Sequence, residues 1–110
     1  MANLKILLAL VFIACAAINA HADHIDCGFV TVGKLYTQSD RSDGSSHGNK
    51  LLVEIGDGCP PFGYVANSAA AYNGILSMLL AAKLSDKEIR IVVSDEPPLS
   101  GAARIEWVNF

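Results

Sequence analysis

Few residues in this chain of 110 are of the kinds that carry out chemistry, and their spacing decides whether any of them act together. Histidines stand at His21, His24 and His47, and cysteines at Cys15, Cys27 and Cys59. No H-E-x-x-H, G-x-S-x-G or C-x-x-C spacing is present, so the usual zinc-protease, serine-hydrolase and dithiol motifs are missing. The run SDGSSHG sets serines beside His47, but neighbours in a polar loop are not a positioned nucleophile and base, and a solvated loop is the preferred reading. Taking Gly44 as the turn glycine of a calcium loop would place Ser39, Arg41 and Asp43 at ligand positions, and a cation does not seek a guanidinium. Cys27, Cys59, His24 and His47 can be drawn as a zinc set, but nothing in their spacing favours it. No catalytic group, metal or cofactor is therefore expected.

What remains is binding chemistry. Tyr36, Ser39, Asp40 and Arg41 follow one another where a first strand runs into a polar loop. An aromatic face beside a hydroxyl, a carboxylate and a guanidinium is the mixture that holds a sugar ring and its hydroxyls. Arg41 could also meet the carboxylate of a sialic acid. The plainer alternative is that Tyr36 packs in the sheet while the others solvate the loop.

The opening, MANLKILLALVFIACAAINAHA, has a basic start at Lys5, an apolar run from Ile6 to Ala17 and small residues before a cut after Ala22. It reads as a signal peptide over residues 1–22, which predicts a secreted or periplasmic protein. Its apolar run is shorter than the roughly 18 to 20 residues of a spanning helix, so no membrane span is expected after processing. A lipoprotein cut at Cys15 is the alternative, with Phe12 an ill-fitting neighbour. Cleavage after Ala22 removes Lys5 from the eight basic residues, while all eleven acidic ones stay. Such a balance supplies no basic stripe for phosphates and argues against a nucleic-acid partner. It also leaves Cys27 and Cys59 as an even pair in an oxidising compartment. A disulfide between them is the economical reading, worth roughly 3 kcal/mol by chain entropy, and two separately buried thiols are the alternative.

The elements that must position these groups fall within one domain, residues 23–110. CGFVTVGKLYT predicts a long first strand, bulged or bent at Gly33. Gln38 to Asn49 has no apolar residue and reads as a mobile loop. KLLVEI is a second strand with Leu51, Val53 and Ile55 on one face, and YVA a short third. A helix follows, capped by Asn67 or Ser68 and ended by Ser85, Asp86 and Lys87. At 100° per residue, Tyr72, Ile75, Leu76, Leu79, Leu80 and Lys83 face the sheet. The opposite side, Ala70, Gly74, Ser77, Met78 and Ala81, is small or soft and uncharged, which suits either a second copy of the chain or a merely alanine-rich exposed face. EIRIVV is a fourth strand, Pro97 and Pro98 exclude a central strand after it, and RIEWVNF closes the chain with Ile105, Trp107 and Asn109 on one side and Trp107 and Phe110 in a core or an interface.

The order strand-strand-strand-helix-strand-strand makes the chain mainly β with one helix (α+β), similar to a small Greek-key barrel of the OB type. At YNGILSMLLAAKLSDKEIRIVV and ARIEWVNF it also resembles the B subunits of subtilase cytotoxin and pertussis-like toxins and related small secreted bacterial proteins. The resemblance implies rings of five with helices toward the pore, glycan binding on host cells and an enzymatic toxin subunit as partner. No sugar-contacting residue of that family maps onto a numbered position here. A stand-alone periplasmic or secreted protein of the same fold that binds another protein is the alternative function.

Overall fold

The computed structural model describes residues 24–110. The signal peptide expected over residues 1–22, with Lys5 and Cys15, lies outside the described residues.

Six strands and one helix follow in the order β1 (His24–Val30), β2 (Val32–Gln38), β3 (Lys50–Ile55), β4 (Phe62–Ala66), α1 (Tyr72–Ser85), β5 (Ile89–Leu99) and β6 (Ala102–Asn109). The described residues are mainly β with a single helix. The strands form one sheet in the order β1-β5-β6-β4-β3-β2, with β4 and β6 parallel and every other neighbouring pair antiparallel. The expected long first strand is thus two, broken at Thr31, and the two halves have different partners. Val30 pairs with Ile89 of β5, whereas Val32 pairs with Ile55 of β3. Consecutive strands therefore occupy the two ends of the sheet order. The expected irregularity near Gly33 is present as a register shift between Val32 and Leu35. A Cβ at Gly33 would run into the Glu54 side chain, so a larger residue there would require Glu54 to move.

Alternation in the strands builds the core. Leu51, Val53 and Ile55 of β3 and Ile89, Ile91 and Val93 of β5 are all buried against Ile75, Leu79 and Ala82 of α1. Two expectations for the last strands are corrected. Ile105 is buried, but Trp107 is 43% exposed on the other face, because Ile105 and Trp107 pair with the adjacent Val93 and Val92. Glu106 is the extra residue of a bulge, and a bulge breaks the period of two. Phe110 is exposed as well, so neither aromatic is a core residue. Pro97 and Pro98 do lie within a strand, since β5 runs on to Leu99. No ladder is needed there: pairing with β6 jumps from Ser94↔Arg104 to Leu99↔Ala102, and the prolines sit in the unpaired interval.

The helix is also turned relative to its expected orientation. Met78 packs against the core and Ala82 is fully buried, while Leu80 is 40% exposed. With apolar residues on every side of α1, periodicity could not fix its rotation. Lys83 does reach from the helix edge, its Nζ donating to the Gly33 carbonyl at 2.7 Å. At the start, Ala71 is the N-cap and no side chain caps the helix. Asn67 instead donates its side-chain amide to the Gln38 carbonyl at 3.2 Å, tying the turn after β4 to the end of β2. The helix ends as expected, with Asp86 left-handed at φ 57° and Lys87 N donating to Ala82 O at 3.0 Å.

Candidate functional site: a cleft between two loops

Tyr36, Leu52 and Tyr64 are cross-strand partners on β2, β3 and β4, on the face opposite the core, and Phe62 pairs with Glu54 on that face. Leu52 is buried and forms the floor of a cleft of about 340 Å³, whose walls are the β2–β3 loop on one side and the β5–β6 turn on the other. Tyr36 and Phe62 stand together in it, ring centroids 6.2 Å apart and planes at 48°. Gln38, Arg41, His47 and Ser100 supply its polar lining.

Each polar group is held. Arg41 Nη1 donates to Gln38 Oε1 at 2.8 Å, and its Nε and Nη2 both donate to the Asp43 carboxylate, at 3.1 and 2.5 Å. That guanidinium, helped by the Ser45 backbone N–H, holds Asp43 below its ordinary value. His47 Nε2 donates to the Ser100 carbonyl at 2.9 Å, spanning the two walls. The arrangement offers an aromatic corner, an amide, an imidazole and a guanidinium whose charge is already matched.

Of the four residues expected to form a rim, the structure brings Tyr36 and Arg41 into this cleft. Ser39 and Asp40 are exposed and do not line it. Gln38, Phe62, His47 and Ser100 were missed. Their only signal in the sequence was polarity or strand propensity, and only the sheet order sets the β5–β6 turn opposite the β2–β3 loop. Among the described residues no three His, Cys, Asp or Glu side chains are placed to hold a metal ion.

Cys27 and Cys59 meet as free thiols, Sγ to Sγ 2.7 Å, joining β1 to the turn after β3. Burial, reinforced by the hydrogen bond with Cys59, pushes the Cys27 thiol up to about 12. Beside them Gly56 N donates to Thr31 O at 3.0 Å, so the same turn also lies along the break between β1 and β2. On the helix, Gly74, Ser77 and Ala81 are exposed; Ala70, also exposed, lies in the turn before the helix, whereas Met78 leaves this set for the core. Leu84, 84% exposed, joins it. No helix of the described residues is long and apolar enough to cross a membrane.

No family model, curated protein or solved structure matches the chain, and no comparison links it to toxin B subunits.

Proposed function

We propose that this is a secreted, non-catalytic binding protein with an OB-like barrel topology that holds a neutral glycan in the cleft between the β2–β3 loop and the β5–β6 turn. The observation that carries the reading is the Tyr36–Phe62 aromatic corner beside Gln38, Arg41 and His47. Counting β1 and β2 as one bent strand, the sheet order becomes one, four, five, three, two, one, with the third and fifth strands parallel. That is the OB order, in which ligands bind on the face of strands two and three between the loops that flank this cleft. Asp43 already neutralises Arg41, which favours an uncharged sugar over a sialic acid. The resemblance to toxin B subunits adds a homo-oligomer, a pentamer in that family, assembled through the uncharged helix face, and an enzymatic subunit as its partner. A stand-alone protein that binds another protein is the second reading, favoured by the bare Leu84.

A glycan array probed with the mature protein tests this. Retained neutral glycans should lose at least about tenfold in affinity with Tyr36→Ala, because stacking on the ring is removed. Binding unchanged in that variant places the site elsewhere.

A further inference from the structure

We propose that the gap between β4 and β6 is a second binding site, for a small amphipathic molecule with an anionic head and an apolar chain. The parallel ladder of these strands runs only from Phe62↔Ala102 to Tyr64↔Arg104. Beyond it both strands continue unpaired with each other, and a cavity of about 420 Å³ separates them. Its walls are the buried side chains of Val65, Ile75 and Ile105. Ala66, Ala69 and Ala71, from the end of β4 and the turn into α1, close it with methyl groups only. Longer side chains at those places would fill the space. The hydroxyl of Tyr64, which also lines the cavity, already donates to Pro97 O at 2.7 Å, so beside Val65, Ile75 and Ile105 the cavity asks for apolar material.

The mouth is cationic. Arg104 and Glu106 pair at 2.7 Å and cancel. Lys50 has no carboxylate within 4.0 Å among the described residues; its Nζ donates to the carbonyls of Ser46 at 2.7 Å and Gly48 at 3.3 Å, and an ammonium has three donors. One unmatched positive charge therefore stands at an apolar cavity in a chain of net charge −3. An anion is the complementary head group, and a short alkyl chain is the complementary body. No residue lines both this cavity and the glycan cleft, so either site can fail alone.

Octanoate, 1-octanol and octylamine, each titrated below its micelle concentration into the full mature protein, are the probes. Methyl resonances of Val65, Ile75 and Ile105 should shift with octanoate, which should bind at least tenfold more tightly than octylamine. Lys50→Gln should abolish that preference, and Ala69→Trp, at an exposed position, should block all three probes. If the methyl groups do not move, the cavity is not a site. Equal affinity for the three probes overturns the anionic head group. Should Ala69→Trp fold poorly, Lys50→Gln and the amine control still decide.

Discussion

Asp26 and Arg90 are sixty-four positions apart and form an ion pair on the surface, Arg90 Nη2 to Asp26 Oδ2 2.6 Å with two further contacts from Nε. The Arg90 hydrogen bonds and the Gly28 N–H hold Asp26 below its ordinary value. A carboxylate lowered in the folded state adds stability above its unfolded pKa, about 4, and that stability is lost as pH falls through the lowered folded value. Thermal melts between about pH 5 and pH 2 should therefore show a smaller acid loss in Asp26→Asn than in wild type. An identical loss would mean the pair contributes nothing in solution, as exposed pairs sometimes do. The cysteines make a second residue-scale prediction. Cys27 and Cys59 lie side by side, so in an oxidising compartment they should join, and intact mass should then rise by about two hydrogen atoms on reduction. An unchanged mass would show that the thiols persist. The sequence suggested that pair only through the expected cleavage after Ala22, which would leave no other cysteine. The Asp26–Arg90 pair was not, since only the β1–β5 register brings the two residues together.

At the scale of elements, strands were easier to read than the helix. Leu51, Val53 and Ile55, like Ile89, Ile91 and Val93, alternate cleanly, and all six are buried. Where alternation was interrupted, it misled: the bulge at Glu106 turned Trp107 outward, and the unpaired interval of β5 took in two prolines. In α1 the apolar residues surround the axis, and neighbouring strands alone chose Ile75, Leu79 and Ala82 as the inner stripe. This assignment has a direct energetic consequence. Leu79→Ala should destabilise by about 2–5 kcal/mol in denaturant melts, whereas Leu84→Ala should stay within about 0.5 kcal/mol in a monomer. If light scattering shows an assembly and Leu84→Ala weakens it, the bare face of Gly74, Ser77, Ala81 and Leu84 is the contact. Replacing Gly74 with Arg should then dissociate the assembly and leave the fold intact, because a lone charge is costly only when buried. A wild type that is monomeric at micromolar concentration would refute assembly through this face.

For the whole molecule, the element order could be read from the sequence, but the partners of each strand could not. Nothing between Val30 and Val32 announces that one half of the first strand serves β5 and the other β3. Yet that division brings the β5–β6 turn over the face of β3 and β4, and so makes a cleft from Tyr36, Phe62, His47 and Ser100, which the sequence scatters over sixty-five positions. Half of the expected rim entered it because Tyr36 points out from β2 and Arg41 folds back onto Gln38. Ser39 and Asp40 stayed outside it, and Asn49 N donates to Ser39 O at 3.0 Å across the two ends of the loop. The most direct test of the glycan cleft is an NMR titration of the mature protein with the neutral glycan best retained on the array, following every backbone amide. The proposal predicts that the largest shifts fall at Tyr36, Gln38, Arg41, His47, Phe62 and Ser100, with little change on α1. Shifts centred on α1 or on Trp107, with these six unmoved, would contradict it.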